Sequence, residues 1–145
     1  MTFEDLMTTQ EKTAYAAGLF DGEGCIQIYR QKNTNYFSVF AKVAMTTRQP
    51  LLFLQRLYGG SVCVRPVRGG RRPQWDWTVT GRACEQFLES VMTVLIVKGQ
   101  EAALALIMIS SLKRTSGRGT KLSPKVIGLR ALLEAECKLF KRLKG

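Results

Sequence analysis

The 145 residues of this chain include no histidine. That excludes imidazole acid–base catalysis, Ser–His and Cys–His nucleophilic machinery, and zinc sites with histidine ligands. Acids are scarce too: 11 Asp and Glu stand against 22 Lys and Arg, a net charge of +11. The four cysteines, Cys25, Cys63, Cys84 and Cys137, are scattered and form no CxxC pair. Such spacing fits reduced, mostly buried thiols better than a metal knuckle or a disulfide framework. No apolar run approaches the about 20 residues of a membrane span. The polar opening "MTFEDLMTTQEK" lacks the apolar stretch of a signal peptide. These absences point to a soluble, intracellular protein with no membrane partner, in which any metal is a hard cation held by oxygen.

What is present is a globular composition, 46% hydrophobic with 9% aromatic residues, in a length that suits one domain over residues 1–145. The positive charge exceeds what solubility asks for and points to a polyanionic partner. Its distribution is uneven. From Gly24 to Trp75 there is no acid at all, while nine residues are Lys or Arg. A solvated face normally mixes signs, so this segment is expected to face phosphates.

Good helix formers without proline predict a helix over 9–21. Alternating stretches predict strands at 25–31 and 36–45, with "NTN" as the turn. A short amphipathic helix at 49–59 carries Pro50 in its first turn. A second hairpin, 61–67 and 73–80, surrounds the loop "RGGRR", and helices follow over 82–95, 99–114 and 125–144, with a loop at 116–124. Two hairpins can join in one antiparallel sheet covered by helices on one face. That face is expected to take Ile26, Ile28, Val39, Val43, Val62, Val64, Trp75, Trp77 and Val79. The opposite face would carry Gln27, Tyr29, Gln31, Asn33, Ser38, Lys42, Arg65, Gln74, Asp76 and Thr78, donors and acceptors suited to base edges in a major groove. Arg65, Arg68, Arg71 and Arg72 are candidates for phosphate or loop-base contacts.

The stretch "AAGLFDGEG", residues 16–24, places Asp21 and Glu23 where a helix finishes. A helix C-terminus carries partial negative charge, so an acid there costs about 0.3–1 kcal/mol. Something positive is expected to meet them. A small pair, two apolar residues, then acid-Gly-acid-Gly resembles the signature of the LAGLIDADG homing endonucleases. The α-β-β-α-β-β-α order, the basic strands and the missing histidine extend the resemblance over most of the chain.

That resemblance implies an α+β fold whose antiparallel sheet forms a DNA-binding saddle, followed by C-terminal helices. It implies a site-specific double-strand endonuclease, with short 3′ overhangs, that mobilises an intron or intein. The compartment would be that of the host genome carrying the gene, cytoplasm or organelle matrix or stroma. One motif per chain implies a C2 homodimer on near-palindromic double-stranded DNA, packed through the helix face of Ala14, Ala17, Gly18 and Asp21. Leu19 and Phe20 then turn into the chain's own core, and Asp21 packs against the partner helix and its N–H groups. Glu23 and the carbonyl of Gly22 take the family's metal-ligand positions, for Mg2+ or Mn2+. Lys98 matches a basic residue that stabilises phosphate charge or orders water. Relatives often end the second strand with a glutamine; here Met45 and Thr46 stand there, so that either Thr46 or another polar group orders the water, or the enzyme is slow or inactive. An RNA maturase with an intron RNA partner, and a DNA-binding relative that has lost cleavage, are the competing readings.

Overall fold

Thr8 opens the first long helix with a reciprocal cap. Its hydroxyl accepts from the Glu11 amide at 3.1 Å, while the Glu11 carboxylate accepts from the Thr8 amide at 2.7 Å. The Thr8 amide, then its hydroxyl, hold the Glu11 carboxyl below its ordinary value. The helix, α1, covers Thr9–Glu23. It is longer than the 9–21 expected, because Gly22 remains helical and Gly24 ends it. A Cβ on Gly24 would lie 2.2 Å from the Phe20 ring and 2.6 Å from the Phe20 carbonyl oxygen. Only glycine lets the chain pass from helix to strand this close over Phe20.

The computed structural model describes residues 1–67, 69–114 and 122–143. After α1 come β1 (Gly24–Arg30), β2 (Phe37–Met45), α2 (Gln49–Tyr58), β3 (Ser61–Arg65), β4 (Gln74–Thr80), α3 (Gly81–Val91), α4 (Gly99–Arg114) and α5 (Pro124–Leu143). Short 3-10 turns sit at Phe3–Leu6 and Met92–Val94, the second ending the helix expected over 82–95. The fold is α+β, in the expected αββαββα order with two further helices. Arg68 and most of the 116–124 loop lie outside the described residues.

All strand pairs are antiparallel, in the order β1-β2-β4-β3. The hairpins therefore join through their second strands. Gly24, Val43, Trp77 and Val62 stand in one row across the sheet. Ile26, Ala41 and Val79 form the next row, and all three are buried. The expected core face is the covered one, with one correction. Val64 is 51% exposed, because it lies near the end of the short edge strand β3, beyond the helical cover. Trp75, its register partner, is half-buried under the guanidinium of Arg48, 4.8 Å from the ring.

Phe87 of α3 ties the layers together. The rings of Phe20, Tyr58 and Trp77 meet it edge-on at 5.0, 4.9 and 5.1 Å. Each such pair contributes about 0.5–1.5 kcal/mol beyond its buried area. The Trp77 indole N–H donates to the Gly59 carbonyl at 2.9 Å, so the ring is buried without an orphan donor. Cys84 and Cys137 are buried, and burial pushes the Cys84 thiol up to about 12. Cys25 is half-buried and Cys63 exposed, which corrects the expectation of mostly buried thiols. Both cysteines fall on the uncovered face by the alternation of their strands. No helix among the described residues is long and apolar enough to cross a membrane.

Candidate active site and nucleic-acid interface

The two acids of the motif end up in opposite situations. The Asp21 carboxylate accepts three backbone N–H groups, from Ile96 at 2.7 Å and from Val97 and Lys98 at 3.1 Å. These residues lead into α4, so the acid sits at the positive end of a second helix, which offsets its poor place in the first. The Lys98 ammonium donates in turn to the Asp21 carbonyl at 2.5 Å, placing positive charge at the α1 C-terminus. The donors that meet Asp21 thus belong to its own chain, a correction to the expectation of partner-helix N–H groups. Glu23, two residues on, is exposed.

The geometry of α1 explains this split. Ala16, Ala17 and Phe20 are buried inside the chain. Ala17, expected at the dimer face, is 1% exposed and belongs to the core instead, because the helix faces its own sheet along that line. Leu19 packs partly buried against the same core, as expected. Ala14 and Gly18 are exposed, and a Cβ on Gly18 or Gly22 would meet nothing within 4 Å.

Thr46 lies at the same end of the sheet. Gly24 pairs with Val43, so Thr46 stands three positions past the residue opposite the α1 terminus, roughly 10 Å of extended chain. Glu23, Lys98 and Thr46 are brought to one end of the molecule from three elements far apart in sequence.

The open sheet face carries the expected polar set. In register, Tyr29 faces Ser38, Lys42 faces Thr78 and Arg65 faces Gln74. Gln27 and Asp76 share that face, beside Phe40, Ala44 and Cys63. Gln31 and Asn33 lie in the β1–β2 turn, where Asn33 takes a left-handed φ of 62°. Arg30 braces this turn, donating to the Thr34 carbonyl at 3.0 Å and the Asn35 amide oxygen at 2.9 Å. Arg71 and Arg72 are exposed in the β3–β4 loop.

Two basic groups escaped the sequence reading. Arg48, stacked on Trp75, lies just past Thr46 at the site end. Lys141 of α5 reaches within 3.5 Å of the Cys25 sulfur, so the last helix runs along the edge of β1. The helix over 125–144 was legible, but its place beside β1 was not.

No protein-family profile matches the chain, and no curated protein matches it. Solved structures do. The homing endonuclease I-CvuI, in complex with its target in the presence of 2 mM calcium, is 29% identical with a TM-score of 0.71, over 96% of this chain and 85% of that one. The archaeal intron-encoded homing endonuclease I-Vdi141I, complexed with DNA, has a TM-score of 0.73 at 16% identity, over 92% of this chain and 86% of that one. The LAGLIDADG homing endonuclease I-GzeII, in complex with a DNA target, has a TM-score of 0.67 at 15% identity. That match covers 85% of this chain but only 43% of the larger protein.

Proposed function

We propose that this chain, a LAGLIDADG homing endonuclease by its likeness to solved homing endonucleases over most of its length, cuts both strands of a long pseudo-palindromic DNA site as a homodimer, leaving short 3′ overhangs, to mobilise an intron or intein. The observation that carries this reading is the exposed Glu23 at the α1 terminus. Its neighbour Asp21 is fully engaged within the chain, with Lys98 fastened beside it.

The dimer rests on α1. Its exposed small residues Ala14, Gly18 and Gly22 permit close approach of a second helix, and a match to less than half of I-GzeII suits a chain that supplies one half of a site. A two-fold axis beside this face would bring the two Glu23 carboxylates together.

The oxygen donors at this terminus fit a hard divalent cation. Glu23 offers a carboxylate, and the Gly22 carbonyl, in the last turn of α1, has no acceptor role within the helix. Among the described residues no group of three or more Cys, Asp or Glu could hold a metal. One carboxylate per chain suits Mg2+ or Mn2+ completed by phosphate and water. When bound, such an ion lowers the pKa of water and offsets charge on phosphoryl oxygens.

The chain's own groups do the rest. Lys98 places its ammonium where phosphate charge accumulates, held there by the bonds that fasten the 96–98 turn to Asp21. Thr46 offers a hydroxyl for ordering water. The open face and the Arg71–Arg72 loop hold phosphates and read base edges, drawing on the acid-free 24–75 segment.

The test is incubation of the purified protein with a random-sequence duplex pool in magnesium, followed by sequencing of the ends. Recurrent double-strand breaks with short 3′ overhangs at one near-palindromic site are expected. Sequence-selective retention without cutting would instead identify a binding protein that has lost cleavage. Selective retention of structured intron RNA alone would identify a maturase.

A further inference from the structure

The open face holds one acid where the charge pattern argues against any. Asp76 sits in the second hairpin, flanked in register by Ala44 and Cys63. One carboxylate oxygen, Oδ2, accepts from Arg65 Nε at 2.5 Å and lies 3.1 Å from Lys42 Nζ. The other oxygen, Oδ1, is buried without a hydrogen-bond partner. The Asp76 side chain is 13% exposed, against 29% for Lys42 and 47% for Arg65. Ion pairs with such exposed cations add little to stability, and a buried carboxylate oxygen left unpaired detracts from it. A surface meant only for phosphates would also gain nothing from an acid at its centre. Stability and affinity therefore both fail to account for Asp76.

Geometry does account for it. A guanidinium has five N–H donors in a planar fork. With Nε bound by Asp76 and Nη1 3.4 Å from the Gln74 amide oxygen, the fork is held at two points, each taking one of its five hydrogens. The outer Nη1–Nη2 edge is left, and that edge matches the O6 and N7 acceptors of guanine. A flexible arginine forfeits rotamer freedom on docking; a clamped one has already lost it.

We infer that Asp76 is a positioning residue for sequence readout: it clamps Arg65 so that the outer edge of the guanidinium selects guanine at one position of each half-site. The inference rests on the reading of the open face as a DNA interface. It assigns Asp76 no base contact of its own.

The experiment is selection of bound duplexes from a random-sequence pool, in calcium, with wild type, Asp76→Asn, Arg65→Lys, Arg65→Ala and the Arg65→Ala/Asp76→Asn double variant. Wild type should enrich guanine at one position per half-site. Asp76→Asn should lower that preference roughly tenfold while leaving the other positions and the melting temperature unchanged. Arg65→Lys keeps the charge but loses the fork, so it should flatten the same position without changing the salt dependence. This variant keeps the test decisive even where an Asp76 variant folds poorly. The double variant should lose no more than Arg65→Ala alone. Retention of the guanine preference in Asp76→Asn overturns the inference. So does a change at a position different from the one Arg65 controls, which would make Asp76 a direct acceptor for a base amine. A wild type that enriches no sequence overturns the DNA reading itself, and this inference with it.

Discussion

The α1 terminus and the open sheet face both hold an acid among donors, but the donors differ in kind. At the terminus, Asp21 is met by three backbone N–H groups of fixed geometry, and Lys98 by a backbone carbonyl. On the sheet, Asp76 is met by the ends of two long, part-exposed side chains. Backbone donors cannot swing away, so the terminus is suited to holding reacting groups in place. Cationic side chains outside that clamp, such as Arg71 and Arg72 of the β3–β4 loop, follow a bent or variable duplex, and the phosphates they neutralise set affinity. The contrast separates the two regions by what damage to each should do. The terminus should control rate, and the open face should control affinity and sequence preference.

The largest expected effect is at Glu23. Glu23→Gln keeps the shape but removes the charge, and cleavage in magnesium should fall at least about a thousandfold, ~4 kcal/mol of barrier. Affinity measured by gel shift in calcium or chelator should hold or rise slightly. Normal cutting by this variant would remove Glu23 from the site, whereas joint loss of cutting and binding would make it a structural residue.

Lys98→Met should slow single-turnover cleavage about a hundredfold with little change in site affinity. Equal losses of rate and affinity would move Lys98 from the rate-controlling region to the affinity-controlling one.

Gly18→Leu addresses the premise that two termini meet. A Cβ at Gly18 meets nothing within its own chain, so the monomer should fold at least as well, helped by leucine's better helix propensity of up to about 1 kcal/mol. Between close-packed helices the leucine should weaken dimerisation about ten- to a hundredfold, read by sedimentation across a dilution series. An unchanged dimer would place the interface away from α1.

The smallest effect sharpens the other side of the contrast. Replacing Arg71 and Arg72 together by alanine should flatten the plot of log affinity against log salt, by about 0.9 for each phosphate that is no longer neutralised. The cleavage rate of saturated complex should not change. A rate that falls with an unaltered slope would reverse the division of labour between the regions.

Much of this organisation was legible from residues alone. Period-two alternation separated Ile26 and Ile28 from Gln27 and Tyr29, and the register keeps each pair on its face. The element order and the charged end of α1 followed from local signals: glycines, runs of good helix formers and an apolar repeat. The residues proposed for the site could be named from the sequence, but their contacts could not. Glu23, Lys98 and Thr46 were each singled out, yet nothing near Asp21 in the chain announces that its partners lie at 96–98. The misplacement of Ala17 has the same origin. Helical spacing groups it with Ala14 and Gly18, but which side of α1 meets the sheet depends on how Phe20 docks against Phe87. Val64 likewise depends on how far helices reach over a short edge strand.

By itself the sequence determined periodicity, charge distribution and the acid-Gly-acid-Gly ending of a helix, because those depend on neighbours within a few residues. Tertiary structure alone decided that Asp21 is engaged inside the chain while Glu23 stays exposed. It alone also decided that one carboxylate on the open face clamps an arginine. Both outcomes depend on donors brought from distant segments, by packing that buries apolar surface without regard to which polar groups it carries together.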